Sequence, residues 1–120
     1  MTPKLIEPSQ DYVRLLTIAG SDSGGGAGIQ ADLKTFAALG CYGMSAITAL
    51  TAQNTRGVSA IHGVPPDFIT AQIDAVMSDI GAHAVKIGML HAPEIVHALA
   101  AAIDDHGMRK VVLDPVSVSA

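Results

Sequence analysis

The stretch Leu15-Leu16-Thr17-Ile18-Ala19-Gly20-Ser21-Asp22-Ser23-Gly24-Gly25-Gly26-Ala27-Gly28-Ile29 decides the fold. Its first five residues form a short, mainly apolar run stopped by Gly20, which reads as a buried strand. The loop 20–28 then holds five glycines in nine residues. After it, Ile29, Leu33, Phe36 and Ala37 recur at helical spacing until Gly40 supplies a stop.

The remaining chain repeats this alternation. Residues 44–50 form a second apolar strand, residues 53–57 the turn that ends it, and residues 58–64 a third, weaker strand. Pro65 and Pro66 open a second helix, with Asp67 in its first turn and Gly81 as its stop. Its apolar stripe is Phe68, Ile69, Ile73, Val76, Met77 and Ile80. Residues 84–88 are the next strand. Pro93 and Glu94 then open a third helix, which turns Ile95, Leu99, Ala102 and Ile103 inward and ends at Gly107. Residues 111–113 make a last strand that runs into Asp114-Pro115. Continuous apolar strands alternating with amphipathic helices predict an α/β fold, a doubly wound, mostly parallel sheet with helices on both faces. Residues 1–14 read as a polar lead-in and 15–120 as one unit without internal repeats. The last strand has no helix after it to cover it, so a truncated domain is expected.

Composition narrows the function. With 49% hydrophobic and 15% charged residues in 120, the chain can build a core. Seven Lys and Arg against eleven Asp and Glu give a net charge of −4, with no basic stripe for a nucleic-acid backbone. Four aromatics (Tyr12, Phe36, Tyr42, Phe68) are too few for base-stacking platforms. The single cysteine, Cys41, has no partner for an internal disulfide and reads as a small buried filler. The five histidines show neither HExxH nor an i, i+4 pair, which argues against zinc. Residues 1–12 lack an apolar signal core, and no run approaches the roughly 18 apolar residues of a membrane span. A soluble, cytoplasmic protein is expected.

In an open parallel sheet, ligands bind beyond the carboxyl ends of the strands. Loop 20–28 and segments 51–57, 88–91 and 114–117 meet there. The glycine loop leads into a helix N-terminus, whose unpaired N–H groups favour an anion or a polar oxygen. It is neither a Walker A loop, because no Lys-Ser/Thr follows, nor a G-x-G-x-x-G fingerprint. It can also be read as an ordinary turn in which Asp22 or Ser23 caps the helix. Asp32 lies at the edge of the first helix's apolar stripe, so it is either stabilised by the helix dipole or turned toward a ligand. Asp114 ends an apolar strand and faces a site or simply initiates an Asp-Pro turn. Gln53 and Asn54 read a heterocycle's edge or are ordinary turn polarity. Lys86 is an edge-strand charge or half of an ion pair near the site.

Residues 16–36, beginning Leu16-Thr17-Ile18-Ala19-Gly20-Ser21-Asp22, resemble the N-terminal signature of hydroxymethylpyrimidine/phosphomethylpyrimidine kinases, of the ribokinase-like superfamily. So do Ile47-Thr48-Ala49-Leu50-Thr51-Ala52-Gln53-Asn54-Thr55, Lys86-Ile87-Gly88-Met89-Leu90 and Val111-Val112-Leu113-Asp114-Pro115-Val116. The resemblance implies an ATP- and Mg2+-dependent kinase of thiamine biosynthesis. It would phosphorylate 4-amino-5-hydroxymethyl-2-methylpyrimidine and then its monophosphate. It implies that Gln53 reads the ring, that Gly20, Asp22, Ala27 and Met89 belong to the substrate-binding wall, and that Asp32 lies near the hydroxymethyl group. Asp114 would stand on the phosphate and Mg2+ side. The family is often dimeric, so a homodimer is expected at full length. The family's catalytic glycine-rich turn and most of its nucleotide pocket belong to a C-terminal half, and Asp114-Pro115-Val116-Ser117 lacks the methionine and Lys-Ser-Gly often found there. The 120 residues are therefore expected to be inactive alone. The rival readings are a pyridoxine-type kinase of the same superfamily and a non-catalytic pyrimidine-binding module.

Overall fold

The computed structural model describes residues 12–114. They form β1 (Arg14–Ser21), α1 (Gly28–Ala38), β2 (Tyr42–Asn54), β3 (Gly57–Gly63), α2 (Pro66–Met77), β4 (Ala84–Ile87), α3 (Pro93–Asp105) and β5 (Val111–Leu113). The strands make one sheet in the order β3-β2-β1-β4-β5. The β1–β2, β1–β4 and β4–β5 pairs are parallel and β2–β3 is antiparallel.

Strand alternation sets the two faces. Leu16 and Ile18 of β1, Met44 and Ala46 of β2, and Val85 and Ile87 of β4 point to one side. There they pack with Ile69 and Ile73 of α2 and Ile95, Leu99 and Ala102 of α3 in the main core. Thr17, Ser45 and Lys86 are register partners pointing to the other side, where α1 lies across β1 and β2. The doubly wound expectation therefore holds. α1 ends where Gly40 was expected to stop it: Gly40 takes φ +75°, its N–H bonds to the Ala37 carbonyl, and the Cys41 N–H bonds to Phe36.

Four local readings need correction. β2 runs on through Asn54, so Gln53 sits in a strand and not in a turn, because β3 supplies an antiparallel partner as far as Gly57. α2 ends at Met77; Ile80 and Gly81 bond back to the Val76 carbonyl in a closing turn. Phe68 is 58% exposed although Ile69 is fully buried, since one residue is a 100° step around the helix and takes Phe68 off the stripe. Cys41 is half-buried, because the chain leaves α1 at the surface before entering β2.

Among the described residues, no helix is long and apolar enough to cross a membrane.

Candidate functional site

The sheet order places a switch point between β1 and β4: from β1 the chain winds outward to β2 and β3, then returns to add β4 and β5 on the opposite side. A crevice opens beyond the carboxyl ends of strands at such a point, because the connections leave in opposite directions. Loop 20–28 leaves β1 there, and Gly88 and Met89 follow β4.

Asp22 shapes the loop. It is 6% exposed, and its Oδ2 accepts N–H bonds from Gly26 and Ala27, both at 2.9 Å, while Oδ1 accepts one from Gly24 at 2.7 Å. Burial alone would raise this carboxyl's pKa. The backbone N–H bonds of Gly24, Gly26, Ala27 and Gly25 outweigh that and hold it below the ordinary aspartate value of 3.8. The anion-binding nest expected at this loop is thus filled by the protein's own carboxylate. Neither Asp22 nor Ser23 caps α1: the cap position is Ala27, with no side-chain cap bond. The Ser23 hydroxyl instead donates to the Gln53 carbonyl at 2.6 Å and accepts from the Gln53 N–H at 2.7 Å, tying the loop to β2.

The loop is also pinned from α1. Gln30 accepts the Asp22 N–H at 2.8 Å and donates to the Ser21 hydroxyl at 2.8 Å, and Lys34 donates to the Gly25 carbonyl at 2.9 Å. Gly28 has φ +58°, and a Cβ there would lie 2.3 Å from the Gly20 carbonyl oxygen. Both the conformation and the close approach demand glycine.

Asp32 faces the switch point. Its Oδ2 accepts from the Thr17 hydroxyl at 2.6 Å and from the Lys86 ammonium at 2.9 Å. β4 lies between β1 and β5, so Lys86 is no edge charge; it is half of an ion pair. Gln53 keeps its amide near the loop base, 3.1 Å from the Thr51 hydroxyl, which donates its proton to the Ser21 carbonyl at 2.7 Å. Gly20 is the last residue but one of β1, Ala27 is exposed at the helix start, and Met89 is 56% exposed after β4.

Asp114 belongs to the same sheet edge but stands apart. Its N–H bonds to the Ile87 carbonyl at 2.9 Å, and its side chain is exposed at the tip of β5. Two strand spacings separate β5 from β1, about 10 Å. Among the described residues, no three His, Cys, Asp or Glu side chains gather as a metal site. A single exposed carboxylate at the tip of β5 does not by itself fit a protein-built Mg2+ site. Residues 115–117 lie outside the described residues.

Two surface depressions lie elsewhere. One is lined by Leu90, His91, Pro93 and His97, the other by Leu50, His62, Asp67 and Phe68. Neither includes Asp22, Asp32 or Gln53, and we place the site at the switch point because polar groups with defined partners converge there.

The sequence reading missed Thr17, Ser23 and Gln30 as site-builders. A lone Thr within an apolar strand was the available signal for Thr17. The roles of Ser23 and Gln30 depend on where the loop folds back.

This doubly wound sheet, with a carboxylate and a glycine loop at its switch point, matches the fold of ribokinase-like small-molecule kinases. The family model for phosphomethylpyrimidine kinase matches residues 22–120. The chain is 55% identical over 107 residues to the hydroxymethylpyrimidine/phosphomethylpyrimidine kinase of Salmonella typhimurium, covering 89% of this chain and 40% of that protein. The crystal structure of phosphomethylpyrimidine kinase from Clostridium difficile superposes with a TM-score of 0.86 at 54% identity, covering 89% of this chain and 46% of that one. An ADP complex of Bacillus subtilis pyridoxal kinase superposes with a TM-score of 0.83 at 41% identity, covering 92% and 42%. The chain belongs to the phosphomethylpyrimidine kinase family. It spans less than half the length of these relatives.

Proposed function

We propose that the protein, at the length of its relatives, transfers a phosphoryl group from ATP to the hydroxymethyl group of 4-amino-5-hydroxymethyl-2-methylpyrimidine, and then to the resulting monophosphate, in thiamine biosynthesis. The observation that carries this reading is Asp32: a carboxylate at the switch point with one oxygen anchored by Thr17 and Lys86 and the other, among the described residues, without a partner. A carboxylate so held can accept a hydrogen bond from an alcohol's hydroxyl and orient its oxygen for attack on phosphorus. Gln53 supports the heterocycle, since an amide both donates and accepts, as an aminopyrimidine edge requires. The nest filled by Asp22 supports a neutral first acceptor, because the loop's N–H groups are not free for a phosphate. ATP as donor is supported by the adenine nucleotide in the related pyridoxal kinase. Mg2+ would bind mainly through the nucleotide's phosphates and water, with Asp114 nearby.

We also propose that the enzyme is cytoplasmic and works as a homodimer. All seven residues of β3 are exposed, including Ile61 at 60%, and an apolar sheet edge favours pairing with a second copy. Sedimentation would test the dimer.

The test of activity is ATP-dependent phosphorylation of hydroxymethylpyrimidine and pyridoxine offered together to the full-length protein. Preferential use of the pyrimidine supports the proposal. Preference for pyridoxine would favour the second reading, to which the likeness to pyridoxal kinase lends weight, and binding without turnover would favour a non-catalytic module.

A further inference from the structure

We propose that Thr51 fixes which end of the Gln53 amide faces the ligand, and that this makes the site selective for a 4-aminopyrimidine over its 4-oxo analogue. The inference rests on the function proposed above, in which Gln53 reads the ring. The backbone of Gln53 is clamped by Ser23, whose hydroxyl donates to its carbonyl at 2.6 Å and accepts from its N–H at 2.7 Å. Its side-chain amide can still make a half-turn that exchanges oxygen and nitrogen. Thr51, two residues back along β2 and on the same face of the strand, decides that turn. Its Oγ1 lies 2.7 Å from the Ser21 carbonyl oxygen and 3.1 Å from the Oε1 position of Gln53, and both contacts are partly buried. A hydroxyl has one proton and a carbonyl can only accept, so the Ser21 contact takes that proton. Thr51 therefore shows Gln53 only lone pairs. An amide oxygen is repelled by them, whereas the half-turn brings Nε2 to the same place and makes a bond with almost no change of shape.

With its nitrogen on Thr51, the amide keeps Oε1 and one further N–H for a ligand. A 4-aminopyrimidine offers the complement, because its amino group donates and the adjacent ring nitrogen accepts. The 4-oxo analogue, in its lactam form, offers the reverse: an accepting oxygen beside a donating N–H. A freely turning amide would serve either ring equally. An amide held by Thr51 serves the oxo ring only by turning Oε1 back onto the hydroxyl's lone pairs, which leaves polar groups facing each other without a proton between them. Thr51 acts through Gln53 and is a positioning residue.

The test measures Kd by calorimetry for 5-hydroxymethyl-2-methylpyrimidine carrying either a 4-amino or a 4-oxo group, with the full-length protein and its variants. Wild type should bind the amino ring about tenfold or more tightly than the oxo ring. Thr51→Val, nearly the same in shape, should lose most of that preference, chiefly by gaining affinity for the oxo ring. Thr51→Ser keeps the hydroxyl and should keep the preference. A structural role alone would weaken both rings together, so an unchanged amino-to-oxo ratio in Thr51→Val overturns the proposal. Should Thr51→Val fail to fold, wild type carries the test, and equal affinity for the two rings overturns it. Gln53→Ala checks the underlying reading separately. Unchanged binding of the amino ring there would show that Gln53 does not read it, whereas weakened binding there with an unchanged ratio in Thr51→Val would strike the role of Thr51 alone.

Discussion

Lys86 and Asp32, 54 residues apart, meet through a 2.9 Å contact that joins β4 to α1 over β1. The Thr17 hydroxyl bonds the same carboxylate oxygen, so a strand on each side of the switch point helps to orient one acid. Replacing Lys86 with Met leaves that carboxylate in a partly dry setting without its counter-charge. A loss of about 1–2 kcal/mol is expected, between the costs of breaking exposed and buried pairs. Urea denaturation of Lys86→Met, Asp32→Asn and the double variant should show the double losing less than the sum; strict additivity would mean the pair contributes nothing.

Gly28→Ala should be among the more damaging single-methyl additions. The new Cβ would lie 2.3 Å from the Gly20 carbonyl oxygen, in a left-handed backbone conformation. Strain of that kind costs about 1–3 kcal/mol before the clash is counted. Gly40→Ala serves as control, because its φ is also positive but nothing lies within 4 Å of the added carbon. Thermal denaturation should rank Gly28→Ala clearly below Gly40→Ala.

Acid should loosen the glycine loop. The Asp22 carboxyl titrates below 3.8 in the folded protein, so the unfolded chain binds its proton first as pH falls. Its contribution is whole above that ordinary value and lost as pH drops through the lower folded one. Asp22→Asn removes this contribution at neutral pH. The variant should be less stable than wild type at pH 7 and converge toward it as pH falls below 3.8 and through the lower folded-state value. Parallel denaturation curves across the whole range would count against the loop-shaping role.

Thr48→Val should stabilise. Thr48 is 1% exposed on the core-facing side of β2, and its hydroxyl has no hydrogen-bond partner among the described residues. Exchanging that oxygen for a methyl group removes a desolvated polar atom, a gain of about 1 kcal/mol. A loss of stability would show that the hydroxyl has a partner after all.

The fold was legible wherever burial on one face left a period in the chain. Ile95, Leu99 and Ala102 appeared as an inward stripe and are buried, and Gly40 stood where α1 stops. Phe68 misled because hydrophobicity alone does not say which side of a helix is covered. Gln53 looked like turn polarity because the strand status of β2 beyond Leu50 depends on β3, a non-local partner. At the site, Asp32 and Lys86 could each be singled out, but their pairing joins residues 54 apart and follows only from the sheet order. Asp22 was read as a helix cap or a substrate contact; its bonds to three loop amides depend on a backbone path that glycines leave open.

The most direct measurement is a crystal structure of the full-length protein with 4-amino-5-hydroxymethyl-2-methylpyrimidine bound. The hydroxymethyl oxygen should lie about 2.6–3.2 Å from Asp32 Oδ1, within hydrogen-bond reach, with the ring's polar edge against the Gln53 amide. A ring seated instead in the depression beside His91 and His97, out of reach of Asp32, would contradict the account.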